Sequence, residues 1–339
     1  MRVLVTGGAG YIGSHTLLEL MAQGHEVCVL DNYCNATPEV LTRVKALSNG
    51  KVSDFKGDVR DANRLDEVMQ AFRPEAVIHF AGLKAVGEST EKPLLYYDVN
   101  VAGTLALLHA MDRVGCKKII FSSSATVYGD PVYLPYDEAH PTNPTSVYGR
   151  TKLVAEGMLT AWTEAQPGTS AVLLRYFNPV GAHSSTRLGE DPKDIPNNLM
   201  PFIAQVAVGK RDALTVFGED YDTPDGTGKR DYIHVVDLAR AHVAALSYAS
   251  ENEGARPFNI GTGESYSVRD MVAAFERASG KTIPTILAGR RAGDIAEMQA
   301  DASRAQAELG WQATHSLDDM TGSTWAWQSS NPNGYQDEE

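Results

Sequence analysis

An α/β fold built on a doubly wound, Rossmann-type parallel sheet is predicted by three features of this 339-residue chain. Short, near-continuous apolar runs alternate with helical patterns from residue 2 to about residue 177. The first run ends in a glycine loop, Gly7-x-x-Gly10-x-x-Gly13, that opens a helical pattern. The rhythm then breaks: Pro179, Gly181, Pro192, Pro196 and Pro201 interrupt the next stretch. We therefore expect a sheet domain over 1–177 and a smaller mixed α/β C-terminal domain over 178–339, with a discontinuous arrangement left open.

Arg2–Thr6 is the first strand, and residues 11–21 follow it at helical spacing. Glu26–Asp31 is the next strand. A helix over 39–47, a strand over Val52–Lys56, a helix over Ala62–Phe72 and a strand over 76–80 continue the alternation. Residues 93–113 read as one long helix, and 117–124 as a strand ending in three hydroxyls. Residues 146–164 are helical, and 170–175 form another strand. Apolar runs of this kind require a sheet covered by helices on both faces. Beyond Phe177, residues 220–228 form a loop by their turn chemistry, and helical patterns return at 234–249, 268–278 and 303–309. The tail 330–339 is polar and is expected to fray.

Composition excludes several functions. Hydrophobic residues make up 43% of the chain and charged residues 22%, as in ordinary soluble globular proteins. No apolar run reaches membrane-spanning length and no secretory signal is visible, so a cytoplasmic location is expected. Cys28, Cys34 and Cys116 follow no pairing or ligand motif, so neither a disulfide framework nor a metal site is expected. A formal net charge of −13 argues against nucleic acid or an anionic membrane as partner. An anionic substrate would need local cations against that field, which draws attention to Arg230 and Arg291.

The glycine loop points to a dinucleotide. Gly7 makes the tight turn, Gly10 lets the backbone approach a pyrophosphate, and Gly13 lets the helix pack on the strand. The amides of Tyr11 and Ile12 then lie at a helix N-terminus, where an anion is favoured. Asp31 ends the second strand, 18 residues beyond Gly13. Its carboxylate can accept from ribose hydroxyls and would repel a 2′-phosphate. No arginine stands among Asn32, Tyr33, Cys34 and Asn35 to receive that phosphate, so NAD is expected rather than NADP. A purely structural glycine turn fits less well with this strand, helix and aspartate context. Asn32, Asn35, Asp58, Val59 and the run Phe80-Ala81-Gly82-x-Lys84 sit at carboxyl ends of strands, where such sheets bind ligands. Phe177 follows the last strand of this half. Asp58 can accept from an adenine amino group. Lys84 reads equally well as a phosphate or ribose contact and as a solvated loop lysine.

Ser122, Ser123 and Ser124 end the fifth strand on the same edge. Tyr148 and Lys152, four apart, share one helical face. A free phenol has a pKa of about 10, and a neighbouring cation brings it down toward the range of a useful base. The three residues Tyr148, Lys152 and Ser124 are therefore the candidate catalytic group, with Ser122 beside the cofactor.

The glycine loop, the serine-ended strand and Tyr-x-x-x-Lys together resemble the extended short-chain dehydrogenase/reductase family. Longer stretches are similar to its nucleotide-sugar epimerases: Phe80-Ala-Gly-Leu-Lys-Ala-Val-Gly-Glu-Ser89, Phe121-Ser-Ser-Ser-Ala-Thr-Val-Tyr-Gly-Asp130, Leu174-Arg-Tyr-Phe-Asn-Pro-Val-Gly-Ala182, Ile195-Pro-Asn-Asn-Leu-Met-Pro201 and Gly228-Lys-Arg-Asp-Tyr-Ile-His-Val235. The resemblance implies interconversion of UDP-galactose and UDP-glucose through a transient 4-keto sugar with NAD held throughout. It implies that Tyr148 takes the 4-hydroxyl proton, Lys152 holds the nicotinamide ribose and Ser124 steadies the reacting oxygen. It assigns Asn178, Asn198 and Leu199 to sugar and phosphate, Phe217 to uracil, Arg230 and Arg291 to the diphosphate, and Asp294 to the uridine ribose. It also implies a homodimer packed through helices 93–113 and 146–164.

Two departures stand out. Val99 replaces an asparagine common in the family near the cofactor, with Asn100 beside it. Met298 stands where a tyrosine in some members excludes N-acetylated sugars and a smaller residue in others admits them, so activity on UDP-N-acetylhexosamines is open. Three alternative functions fit these residues less well. A dehydratase would place Asp-Glu where this chain has Ala125-Thr126. A non-catalytic NAD sensor would not need serine, tyrosine and lysine intact. A dehydrogenase releasing NADH would not need this substrate half.

Overall fold

The computed structural model describes residues 1–48, 52–193, 196, 198–291 and 293–336. Its first half alternates β1 (Arg2–Thr6), α1 (Tyr11–Ala22), β2 (Glu26–Asp31), α2 (Pro38–Ser48), β3 (Val52–Lys56), α3 (Ala62–Phe72) and β4 (Ala76–His79). Helices α4 (Val86–Glu91), α5 (Pro93–Tyr97) and α6 (Gly103–Val114) follow, then β5 (Lys118–Ser124), α7 (Val147–Ala165) and β6 (Ser170–Tyr176). The remainder contains β7 (Asn178–Val180), α8 (Leu199–Ala207), β8 (Leu214–Phe217), β9 (Lys229–His234), α9 (Val235–Glu251) and β10 (Gly254–Ile260). After these come β11 (Ser265–Ser267), α10 (Val268–Ser279), β12 (Thr285–Ala288), β13 (Glu297–Met298), α11 (Ser303–Leu309) and α12 (Leu317–Ser330).

Seven parallel strands form the large sheet in the order β10-β6-β5-β4-β1-β2-β3. The chain runs outward one way from β1 and then the other way from β4, so the crevice between them is the switch point where such sheets bind ligands. Alternation along each strand builds two cores. Val3 and Val5 face Leu17 and Leu20 of α1 and Leu238 of α9, while Leu4 faces Leu65 of α3 and Leu107 of α6. Burying each such leucine is worth roughly 1.5–3 kcal/mol. At the switch point Thr6 and His79 are paired in register, and the Thr6 hydroxyl bonds His79 Nδ1 at 2.6 Å.

The seventh strand, β10, and its crossover helix α9 come from beyond residue 177. They hold the C-terminal region against the sheet. That region has its own core of Val180, Met200, Ile203, Val216, Tyr232 and Phe275.

Two sequence expectations need correction. The single helix over 93–113 is divided: α5 passes through a π-helical turn, Asp98–Ala102, before α6. Within it the Gly103 amide reaches back to the Asp98 carbonyl, and Asn100 turns into the protein. Such turns mark functional segments of helices. The tail does not fray over 331–336: Tyr335 is buried, its ring 4.8 Å from that of Trp327. Residues 337–339 lie outside the described residues, as do Ile195 and Asn197 of the family-like stretch before α8.

Candidate active site

The carboxyl ends of β1, β2, β3, β4, β5 and β6 open into one cavity of about 1280 Å³ that extends under the C-terminal region. At one end lies the glycine loop. Gly7 has φ +70, and a Cβ there would sit 2.7 Å from the Ala81 nitrogen; a Cβ on Gly13 would sit 2.6 Å from the Gly7 carbonyl oxygen. These glycines allow turn, helix and strand to meet. No side chain caps α1 at Gly10, so the Tyr11 and Ile12 amides remain for an anion. Asp31 accepts from the amides of Ala9 at 3.0 Å and Tyr33 at 2.8 Å. Burial raises its pKa, and those two amide bonds oppose the rise. The cradle and the buried carboxylate fit NAD.

Asn32, Asn35, Asp58, Val59, Phe80 and Ala81 line this end, as do Gly82, Lys84 and Phe177. Asp58 is held well below the usual carboxylate range by hydrogen bonds from Arg60, and it also accepts from Asn32 at 2.9 Å. Lys84 is 3.1 Å from Glu190, so it is ion-paired. Val99 lines the cavity with an apolar surface. Asn100 does not stand in for the missing amide: it bonds the Leu83 amide at 2.8 Å, the Leu83 carbonyl at 3.0 Å and Thr151 at 3.0 Å. Its role is to fasten the loop after β4.

Tyr148, Lys152, Ser122 and Ser124 meet at the centre, all buried. Ser124 Oγ accepts from the Thr126 amide at 3.2 Å and hydroxyl at 3.0 Å. With both lone pairs used, its own hydrogen is left to donate to Tyr148 or to a substrate oxygen. Lys152 Nζ donates to the Ser122 carbonyl at 2.7 Å and lies 4.9 Å from the Phe121 ring centroid. Its distance to the Tyr148 ring centroid is 5.9 Å. Burial pushes Tyr148 up to about 12, and only the Ser124 hydrogen bond works against it. Burial brings Lys152 down to about 8, with Glu156 opposing the fall. One of the three ammonium hydrogens of Lys152 is thus taken by the Ser122 carbonyl.

The far end of the cavity is lined by Asn178, Asn198, Phe217, Arg230, Arg291, Asp294 and Met298. Arg291 lies 4.8 Å over the Phe217 ring and donates to Asp294 at 2.9 Å. Arg230 donates to the carbonyls of Lys229 and Ile295 and stands 3.9 Å from Asp294. Phe217 is 38% exposed, an accessible aromatic face suited to a planar ring. The Leu199 side chain is not among the lining groups and packs on the Val180–Met200 cluster, while its backbone opens α8 beside Asn198.

Sequence reasoning missed several groups. Tyr176 lines the cavity and bonds Ser122, and Glu190 bridges Lys84 and Asn198. Glu156 lies one turn beyond Lys152 on α7, a spacing that could have revealed it.

A dinucleotide cradle at the switch point, with tyrosine, lysine and serine buried along the same edge, defines a nicotinamide-dependent enzyme of the short-chain type. The model of the NAD dependent epimerase/dehydratase family matches residues 3–261. UDP-glucose 4-epimerase of Bacillus subtilis (strain 168) is 54% identical over 339 residues, covering 100% of both chains. That of Dictyostelium discoideum is 53% identical over 337 residues, covering 99% of this chain and 98% of the relative. The crystal structure of UDP-glucose 4-epimerase from Bifidobacterium longum in complex with NAD+ and UDP has a TM-score of 0.96 and 52% identity. It covers 98% of this chain and 100% of that one. The chain belongs to the NAD dependent epimerase/dehydratase family.

Proposed function

We infer that this protein interconverts UDP-galactose and UDP-glucose by inverting C4 through a transient 4-keto sugar, with NAD kept bound. The observation that carries this reading is one continuous cavity with the dinucleotide cradle at one end. Tyr148, Ser124 and Lys152 stand at its middle, and Arg230, Arg291 and Phe217 at the other end.

Arg230 and Arg291 hold the diphosphate, Phe217 meets the uracil and Asp294 the uridine ribose. Asn178, Asn198 and the backbone at Leu199 steady the sugar and phosphate. The hexose then reaches Tyr148, whose phenolate takes the O4 proton while Ser124 donates to the same oxygen. Lys152 holds the nicotinamide ribose, and Asp31 accepts from the adenine ribose. When bound, NAD supplies a positively charged ring that favours the phenolate and a reversible acceptor for the hydrogen at C4. Turning of the keto sugar, gripped firmly through its nucleotide and loosely at the hexose, presents the other face to the returning hydride, and Tyr148 returns the proton to O4.

Purified protein should interconvert the two sugars without added NAD. Product analysis with UDP-galactose and UDP-N-acetylgalactosamine side by side checks this; a continuous need for NAD with net NADH release would contradict it. Met298 is flexible and of intermediate size, so we infer that the N-acetylated pair is also accepted. Met298→Tyr should lower activity on that pair roughly tenfold or more relative to the plain pair. Equal loss on both would sink the gate.

We propose a homodimer. Leu94 and Tyr97 of α5, Leu105 of α6 and Val154 of α7 are exposed apolar residues on the elements a four-helix contact would use. Light scattering should give twice the 36.6 kDa of the chain; a monomer would refute it. Among the described residues no helix is long and apolar enough to cross a membrane, and the three cysteines are free. A cytoplasmic location accords with both.

A further inference from the structure

Residues 181–193 cross the cofactor end of the cavity, and Gly189, Glu190, Asp191, Pro192 and Lys193 form part of its wall. Three bonds fasten this segment to the loops that the dinucleotide would touch. Tyr11 Oη donates to the Gly181 carbonyl at 2.6 Å, Glu190 pairs with Lys84 at 3.1 Å, and Lys193 Nζ donates to the Tyr33 carbonyl at 2.6 Å. These ties come from the start of α1 and from the loops after β4 and β2. The segment thus bridges three separate cofactor loops.

It is also held by the C-terminal residues 331–335, of which Tyr335 reaches the cavity wall. Tyr335 Oη accepts from the Gly189 amide at 3.1 Å and donates to the Gly189 carbonyl at 3.0 Å. The Tyr335 amide donates to Asp191 at 2.9 Å. Asn331 donates to the Thr186 carbonyl at 2.8 Å and accepts from Arg43 at 2.8 Å. The Arg43 guanidinium lies 5.0 Å from the Tyr335 ring centroid and 5.8 Å from that of Trp327. Gly334 has φ +74, and a Cβ there would stand 2.0 Å from an Asp191 oxygen, so only glycine allows so close an approach. Tail and strap are fitted to each other, and nothing in proton transfer at Tyr148 uses either.

We propose that residues 181–193 are a strap retaining the bound dinucleotide and that residues 331–335 are its latch, with Tyr335 as the positioning residue. This rests on the functional reading above, in which reduced cofactor must never leave between the two half-reactions. Release requires the strap to lift, and lifting it breaks the ties along with the Tyr335 contacts to Gly189 and Asp191. The latch therefore sets the cofactor off-rate without touching substrate.

The test compares wild type, Tyr335→Ala and Tyr335→Phe, each purified with its own nucleotide. Three quantities are measured: NAD retained after gel filtration, its exchange rate against labelled NAD, and turnover of UDP-galactose with and without excess NAD. Tyr335→Ala loses two hydrogen bonds and the ring packing, so its exchange should quicken by about tenfold or more. Excess NAD should restore its turnover to near wild type. Tyr335→Phe keeps the ring and the backbone bond to Asp191, so it should fold even if the alanine variant does not, and its exchange should be intermediate. Wild-type exchange in both variants overturns the latch, as does a loss of turnover in folded Tyr335→Phe that NAD cannot restore. A wild-type protein that carries no NAD and epimerises nothing overturns the functional reading and the strap with it.

Discussion

Tyr148→Phe is expected to lower UDP-galactose turnover by about 10²–10⁴-fold while bound NAD and nucleotide-sugar affinity stay near wild type. The substitution removes one oxygen and leaves the ring in its buried place beside Ser124. Ser124 can still donate to the sugar oxygen, because Thr126 fills its acceptor positions. It cannot accept the O4 proton as a phenolate would. Lys152, tied to the Ser122 carbonyl at 2.7 Å, is a cation and no base while protonated. Burial places the tyrosine at about 12, so the phenolate fraction grows with pH. Below about 8, where Lys152 keeps its charge, the wild-type rate should climb with pH and the residual rate of the variant should not. Rapid mixing with UDP-galactose, followed by the absorbance of reduced cofactor, measures both. Near-normal reduction, or the same pH slope in the variant, would remove Tyr148 as the base.

The large sheet was legible because burial on both faces makes β1, β2, β5 and β6 continuous apolar runs, and a glycine loop punctuates the first. Beyond Phe177, β7, β8, β11, β12 and β13 have four residues or fewer, so period and length both fail as signals there. β8 alternates buried and exposed over four residues, and β12 is almost wholly exposed. β10 carries Arg256 and Pro257, which an edge strand of the large sheet tolerates. α8 was hidden by Pro201, which falls in its first turn, where proline loses no helical hydrogen bond. The one sequence signal for α12 is Ser316 with Asp319, a capping box without a strong apolar period behind it. Of the candidate site, residue types and spacing located the cradle, Asp31 and the tyrosine-lysine pair. The bond from Lys152 to the Ser122 carbonyl was not legible, because its acceptor lies 30 residues away in sequence. Nor was the Tyr335 latch, since a polar tail looks solvated until its one aromatic finds Trp327.

Glu156→Gln should be the most destabilising substitution near the reactive centre that leaves every lining residue in place. Glu156 and Arg175 form a buried pair, with Nε to Oε1 at 2.9 Å and Nη2 to Oε2 at 2.6 Å. Ser123 donates to the same carboxylate at 2.5 Å, and Arg175 passes the network on to Tyr128 at 3.1 Å. From there Tyr128 donates to Asn259 on β10 at 2.6 Å. Removing one charge leaves the other buried and uncompensated, at a cost of about 3–5 kcal/mol. For a chain of this length that lowers Tm by roughly 4–7 °C. Glu156 also opposes the burial that brings Lys152 down to about 8. Without its charge the lysine should deprotonate at lower pH, and the alkaline limb of the rate profile should move toward neutrality. The double variant Glu156→Leu with Arg175→Met separates the two effects: replacing the pair by apolar groups should recover much of the stability, yet leave the alkaline limb displaced. Calorimetry and a pH–rate profile on the same preparations decide it. An unchanged Tm in Glu156→Gln would show that the pair does not anchor the serine strand. An unchanged alkaline limb would confine Glu156 to packing and leave the lysine charge to burial alone.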